Sequence, residues 1–251
     1  MVIGLIGAGN MASALARGFG EPLLVSDPVT ERAEALAAEL GGEALASNSE
    51  VAGRADIVLL AHKPGQLAQV ARELEQRPKA IISVLGGTPV AAVEEAYPDT
   101  PVYRCLPNIP AEVRRGVTCY VPGSRAADGP EAEVLELFGR VGTVVRVDEP
   151  LVEPAMALMS CGPAFLALVV EAMIDAGVAN GLQAADARTM VLGTMAGTAA
   201  LLEELEMHPY ELRRRVTSPG GSTARGLAAL EAGGVRAAFQ DAVAAVVGGV
   251  R

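Results

Sequence analysis

The chain is poor in several of the residues on which function usually shows. It has no tryptophan, four phenylalanines and four tyrosines in 251 residues, so its core has to be aliphatic. Three cysteines, Cys105, Cys119 and Cys161, cannot all pair internally and show no metal-ligand spacing. A bound metal is therefore not expected, and a reducing compartment, the cytoplasm, is. The first residues already read as a strand and carry no basic stretch, so no signal peptide is expected. The net charge of -10 argues against a nucleic-acid surface, although a local nest of backbone amides could still bind an anion. Residues 154–170 are uncharged and approach the length of a membrane span. They contain Gly162-Pro163 and lie between Glu153 and Glu171, which favours a helix buried in an interface and no membrane partner. Lysine is nearly missing: Lys63 and Lys79 are the only two, and His62 and His208 are the only histidines.

Against that background one stretch stands out. The apolar run Val2-Ile3-Gly4-Leu5-Ile6 passes directly into Gly7-Ala8-Gly9-Asn10-Met11-Ala12. A Gly-x-Gly-x-x-Ala pattern between a strand and a helix is the setting in which it reads as a dinucleotide fingerprint. Gly7 permits the turn, Gly9 lets a phosphate approach the backbone, and Ala12 keeps helix and strand close. The pyrophosphate is expected on the free amides at the helix start. A second strand, 23–26, ends at Ser26-Asp27-Pro28. Asp27 stands about twenty residues beyond the glycines, where an acidic side chain holds the ribose of NAD. It also suits a turn or a cap before the helix that begins near Thr30. Arg32 could instead attract the extra phosphate of NADP, so both cofactors stay open.

Further strands are predicted at 43–46, 57–60 and 80–84, alternating with helices. This is the rhythm of βαβ units in a doubly wound, mostly parallel sheet. The strand 57–60 runs into Ala61-His62-Lys63-Pro64, and the strand 80–84 into Leu85-Gly86-Gly87-Thr88. Ligands of such sheets bind beyond these strand ends, so Ala61, Lys63, Pro64 and Gly86 join Gly7 to Met11, Ser26, Asp27 and Pro28 as expected cofactor contacts. Asn48, in Ser47-Asn48-Ser49, either caps a helix or touches adenine. Strands at 117–121 and 143–147 follow a crossover short enough to add an antiparallel or mixed edge.

From residue 149 onward only helices are predicted: 163–180, 184–206, 209–216, 219–231 and 235–247. The reading is therefore α/β: a Rossmann domain, 1–148, followed by an all-α domain, 149–251. The polar faces of these helices are narrow, which suggests helices buried between subunits and an obligate dimer at least.

The second chemical constellation is Val216-Thr217-Ser218-Pro219-Gly220-Gly221-Ser222-Thr223. Ser218 suits an N-cap and Pro219 the first helical position, and the glycine pair leaves amides uncovered for a carboxylate-sized anion. A dinucleotide fold with a carboxylate cradle points to hydride transfer on a small carboxylate. Reduction of C=O needs a strong proton donor in the substrate domain, and no lysine follows Lys79. A protonated C=N bond already carries its proton, so the protein needs chiefly to position the reactants. Imine reduction fits the missing lysine best. The alternatives are a β-hydroxyacid-type dehydrogenase, which shares the plan but uses a lysine on the first long helix of the second domain, and a dinucleotide-binding relative without turnover.

At this point the chain resembles the pyrroline-5-carboxylate reductases over nearly its whole length. The matching pieces are Gly4-Leu5-Ile6-Gly7-Ala8-Gly9-Asn10-Met11, Lys63-Pro64-Gly65, Pro107-Asn108-Ile109-Pro110-Ala111, Gly162-Pro163-Ala164, Glu171-Ala172, Asp175-Ala176-Gly177 and, most specific, Ser218-Pro219-Gly220-Gly221-Ser222-Thr223. The resemblance implies a Rossmann domain and a helical domain that interlocks two subunits, with dimers assembling into larger rings. The implied reaction is reduction of L-1-pyrroline-5-carboxylate to L-proline by NADPH or NADH, the last step of proline synthesis. It also implies cofactor contacts at Asn10, Met11, Ser26, Pro28, Asn48, Ala61 and Lys63, and a substrate site at Ser222 and Thr223. Glu149 matches an acidic residue near that site. Catalytic roles are expected of Thr223 and Ser218, with Val216, Gly220 and Gly221 shaping the substrate loop. The chain departs from the family at Met159-Ser160-Cys161, at Met156 and at Leu85, where it is less polar or lacks the usual small residue.

Overall fold

The computed structural model describes residues 1–248. Its contacts divide the chain into two compact units, Met1–Pro163 and Ala164–Arg251, the last three residues lying outside the described ones.

In the first unit, short aliphatic segments form an eight-stranded sheet. In chain order these are β1 (Ile3–Ile6), β2 (Leu24–Ser26), β3 (Glu43–Ala44), β4 (Ile57–Leu60), β5 (Ala80–Ser83), β6 (Val102–Leu106), β7 (Gly116–Pro122) and β8 (Gly142–Arg146). Their spatial order is β3-β2-β1-β4-β5-β6-β7-β8. All neighbours pair parallel except β6 and β7, whose antiparallel register sets Cys105 opposite Tyr120. The expected mixed edge is present, because the residues between β6 and β7 are too few for a helical crossover. The central strands are buried on both faces, as in a sheet covered by helices on each side.

Those helices are α1 (Asn10–Phe19), α2 (Thr30–Leu40), α3 (Asn48–Arg54), α4 (Leu67–Glu73), α5 (Val90–Ala96), α6 (Glu131–Gly139) and α7 (Val152–Met159). One core layer sets α1 (Ala12, Leu15, Phe19) and α6 (Val134, Leu137, Phe138) against Leu5, Leu59 and Ile82. The opposite layer joins Val51, Val70 and Val93 of α3, α4 and α5 to Ile6, Val58 and Ile81. On α7, Val152 packs with Leu106, Cys119 and Val121, and the Asn108 amide donates to the Met159 carbonyl at 2.9 Å. These contacts place α7 in the first compact unit, whereas the domain boundary expected from the sequence falls before it, at residue 148. The difference between that boundary and the division at Pro163 is this helix and the Ser160-Cys161 break that follows it.

The second unit holds all but the first two residues of α8 (Gly162–Ala179), together with α9 (Ala184–Glu204), α10 (Pro209–Arg215), α11 (Ser222–Ala232) and α12 (Val235–Gly248). Gly181, at φ +96°, makes the turn between α8 and α9, and Gly177 leaves room for Ala187 to approach. Among the described residues of this unit only Ala187 and Val191 are buried hydrophobics, while Leu166, Leu168, Met190 and Leu230 are each more than half exposed. The apolar side chains of this unit therefore lie mostly at its surface.

Candidate active site

The candidate cofactor site lies in the first unit, at the carboxyl ends of β1, β2 and β4. Gly7 follows β1 at φ +102°, and a Cβ there would stand 2.7 Å from the Ala61 carbonyl oxygen and 2.9 Å from the His62 nitrogen. Only glycine fits between these two strand ends. A Cβ on Gly9 would meet nothing within 4 Å, so the backbone of this turn is open to a ligand. Gly9 is the N-cap of α1 and no side chain caps the helix, which leaves its first amides available to an anion. Ala12 is buried against the sheet, as its role in close helix–strand packing requires. The open glycine and the uncapped helix fit a dinucleotide pyrophosphate.

Beside this turn is a cleft of about 350 Å³ lined by Gly7, Gly9, Asp27, Pro28, Asn48, Ala61 and Lys63 among others. Seven of the expected cofactor contacts thus share one cavity. The rest surround it or lie nearby. The Ala8 amide donates to Asp27 at 2.7 Å, Ser26 donates its hydroxyl to Asn48 at 2.7 Å, Asn10 and Met11 begin α1, and Pro64 opens a short 3-10 helix. Gly86 sits in the turn after β5 and is not in the lining. Asp27 does not cap α2, whose N-cap is Val29. Instead its carboxylate accepts from the Val29 amide at 2.8 Å, an Asx-type turn. Ser47 caps α3 by accepting from the Glu50 amide, which frees Asn48 for the cleft.

Several lining side chains were not among the expected contacts, including Gln66, Gln69 and Glu73. The last two come from α4, whose apolar spacing Leu67, Val70, Leu74 is the helical signal that identifies it. The Glu73 carboxylate accepts from Asn48 at 2.6 Å and from Gln69 at 2.9 Å. His62 Nδ1 lies 2.9 Å from the Lys63 carbonyl oxygen, so Nδ1 carries the proton and the buried Nε2 is an acceptor without a protein partner. Burial holds the His62 pKa below the usual imidazole range, with the Lys63 carbonyl and Glu73 opposing it, so the ring is neutral at pH 7.

Glu149, expected near the substrate, opens a 3-10 helix (Glu149–Leu151) of the first unit. Its Oε1 accepts from Arg104 Nη1 and, at 3.3 Å, from the Val90 amide. Arg104 projects from β6 and is almost fully buried, which pulls its pKa below the ordinary guanidinium value even though Glu149 acts in the other direction. Arg104 Nε and Glu149 Oε2 are buried without a hydrogen-bond partner.

The expected substrate loop lies between α10 and α11 in the second unit, and here the structure corrects the expected geometry. Ser218 is not an N-cap and Pro219 does not begin a helix. The Gly221 amide donates to the Ser218 carbonyl at 3.1 Å, with Gly220 at φ +69°. Pro at the second position and a left-handed glycine at the third make a type II turn, and α11 starts only at Ser222 with Gly221 as its N-cap. The two glycines have separate reasons. Gly220 supplies the left-handed residue, and a Cβ on Gly221 would collide with Ser218 Oγ at 2.4 Å. The Gly221 amide is spent on the turn, so the uncapped amides belong to Ser222 and Thr223, next to their own hydroxyls. Arg225 Nη1 donates to the Gly220 carbonyl at 2.8 Å and braces the loop. Val216 continues from α10 with its amide on Leu212 and its side chain exposed.

Comparison with known proteins covers both units. Residues 149–249 match the pyrroline-5-carboxylate reductase dimerisation family, and residues 2–87 match the family of coenzyme F420-dependent NADP oxidoreductases. The chain is 38% identical to the pyrroline-5-carboxylate reductase of Methanosarcina acetivorans, over 96% of this chain and 93% of that one. The solved pyrroline-5-carboxylate reductase of Streptococcus pyogenes superposes with a TM-score of 0.90 at 28% identity, covering 100% of this chain and 98% of that one. That of Plasmodium falciparum, solved with NADP bound, gives 0.86 at 28% identity, covering 100% and 97%.

Proposed function

The chain belongs to the pyrroline-5-carboxylate reductase family, and from that premise we infer that it reduces the C=N bond of L-1-pyrroline-5-carboxylate to L-proline with NAD(P)H, the last step of proline synthesis. The observation that carries this reading is that the likeness runs through both units rather than through the nucleotide-binding half alone. Gly7 to Met11, Asp27, Pro28, Asn48, Ala61 and Lys63 are assigned to the dinucleotide, with Ser26, Pro64 and Gly86 supporting its surroundings. The bound cofactor supplies the hydride.

The substrate brings its own proton on the ring nitrogen, so the residues of this chain bind and orient it. The amides and hydroxyls of Ser222 and Thr223, with the Ser218 hydroxyl, are assigned to the carboxylate. The Thr223 hydroxyl is assigned to the ring nitrogen, and Val216, Gly220 and Gly221 shape the loop. Glu149 acts in this reading through Arg104. Thr223→Ala should lower kcat/KM for the imine by about 10- to 100-fold, the cost of one lost hydrogen bond to a charged group, while leaving the Kd of the cofactor as it is. Wild-type kinetics in that variant would remove Thr223 from the site.

The functional boundary is placed after Asp148, so that α7 belongs with the dimerisation half although it packs on the sheet. The chain is inferred to be an obligate homo-oligomer of the cytoplasm, built on an interlocked dimer that can assemble into larger rings. Glu149–Ala179 is apolar and long enough to cross a membrane, and in this reading a partner subunit covers it. The support is the second unit's shortage of buried apolar side chains. Light scattering should give at least twice the chain mass, and a stable folded monomer at micromolar concentration would contradict the inference.

A further inference from the structure

This inference rests on the cofactor reading above and concerns which nicotinamide cofactor the cleft accepts. Asp27 stands at the end of β2, and both of its carboxylate oxygens are held. Oδ2 accepts from the Ala8 amide of the glycine turn at 2.7 Å, and Oδ1 from the Val29 amide ahead of α2 at 2.8 Å. Two backbone donors from different parts of the chain fix the group in the lining of the cleft. Each oxygen retains capacity for one more donor.

The other charged side chains in the lining are Arg32 from α2, Lys63 after β4 and Glu73 from α4. Glu73 is engaged by Asn48 and Gln69. Arg32 is exposed and has no ion-pair partner among the described residues, so its charge is free but screened by solvent.

We propose that this chain selects NADH over NADPH, that Asp27 is the discriminating residue, and that Arg32 is a latent ligand for a 2′-phosphate which Asp27 keeps from use. The adenosine ribose of NADH offers hydroxyl donors, which suit a carboxylate with spare acceptor capacity. The 2′-phosphate of NADPH carries a charge of about −1.5 to −2 and meets a fixed negative group there. Because Asp27 is pinned at both oxygens, it cannot turn away to relieve the repulsion. Arg32 supplies the opposite charge from a solvated position, where an ion pair is weak.

The test is equilibrium binding of NAD+ and of NADP+ to the purified full chain by calorimetry, which needs no turnover, with kcat/KM for NADH and NADPH measured alongside. The wild-type chain should bind NAD+ at least about tenfold more tightly than NADP+, the scale of one like-charge contact near a protein surface. Asp27→Asn removes the charge and keeps one of the two backbone hydrogen bonds, and should abolish the preference. Asp27→Ser also makes room and should reverse it, and adding Arg32→Ala to Asp27→Ser should remove the gain for NADP+. Thermal melts establish that each variant is folded, and the wild-type ratio decides the matter even where a variant is not. Tighter binding of NADP+ by the wild-type chain, or an unchanged ratio in the folded Asp27 variants, overturns the proposal and leaves the cofactor reading standing. Binding of neither nucleotide overturns both.

Discussion

Glu149→Ala should destabilise the chain by about 3 to 5 kcal/mol, because it leaves a guanidinium buried without its counter-charge. Arg104 has 4% of its side chain exposed and Glu149 has 32%, so the pair is only partly shielded from solvent, although Glu149 Oε2 itself is buried. The loss should therefore fall at the lower end of that range. The Val90 amide loses its acceptor in the same step. Burial already disfavours the charged form of Arg104, and its Nε has no partner to fall back on. Glu149→Gln keeps an acceptor for both donors and should cost clearly less. The double variant Arg104→Met/Glu149→Leu replaces the pair with apolar groups and should lie close to wild type, as buried pairs generally do when both members are replaced. Urea unfolding followed by circular dichroism measures all of these. A loss below about 1 kcal/mol for Glu149→Ala would mean that solvent or another group takes over the guanidinium.

Gly7→Ala should abolish cofactor binding and destabilise the chain by about 3 kcal/mol or more, adding the cost of an L-residue at positive φ to that of overpacking. The added methyl would meet backbone rather than a flexible side chain: Ala61 O at 2.7 Å and Ala61 C at 2.8 Å. Neither neighbour is free to move. Ala61 donates its amide to the Ile6 carbonyl at 2.8 Å, and Gly7 donates to Ser26 at 2.8 Å, so both belong to the hydrogen-bonded ends of β1, β2 and β4. Relief requires parting those strand ends, which form the cleft itself. Gly9→Ala is the control that separates stability from binding, since its methyl meets nothing within 4 Å and its φ is −77°. That variant should fold with near wild-type stability and bind the dinucleotide more weakly, because the methyl would occupy the space assigned to a phosphate. Calorimetric binding of the cofactor together with thermal melts distinguishes the two. A Gly7→Ala chain that binds as tightly as wild type would remove the glycine turn from the site.

Much of this architecture is written locally in the chain. The strands β1, β4 and β5 are short aliphatic runs that give way within two residues to glycine or a polar residue or end on one, and each is buried on both faces as such a run requires. Elements whose signal is shared with something else are harder to read. Ser218-Pro219 fits a helix start and fits the first half of a type II turn equally well. The choice lies in the left-handed φ of Gly220, which no residue type states outright. Asp27 fits a ribose ligand and a turn residue, and its two hydrogen bonds to Ala8 and Val29 are compatible with both. Long-range partners leave no local trace. Arg104 and Glu149 are 45 residues apart, and only the fold brings them together. The same holds for Glu73, which reaches the cleft because Asn48, 25 residues earlier, stands beside it.

In this reading the chain transfers a hydride to a cyclic imine rather than to a carbonyl. Steady-state oxidation of NADH and of NADPH by the wild-type chain, with L-1-pyrroline-5-carboxylate as substrate and short hydroxyacids with the oxidised cofactors as the comparison, tests it most directly. Cofactor oxidation should depend on the imine and saturate with it, and the hydroxyacids should not turn over, because no lysine follows Lys79 to serve as their acid or base. Folded protein that oxidises neither cofactor with the imine, or that turns over the hydroxyacids in its place, would contradict it.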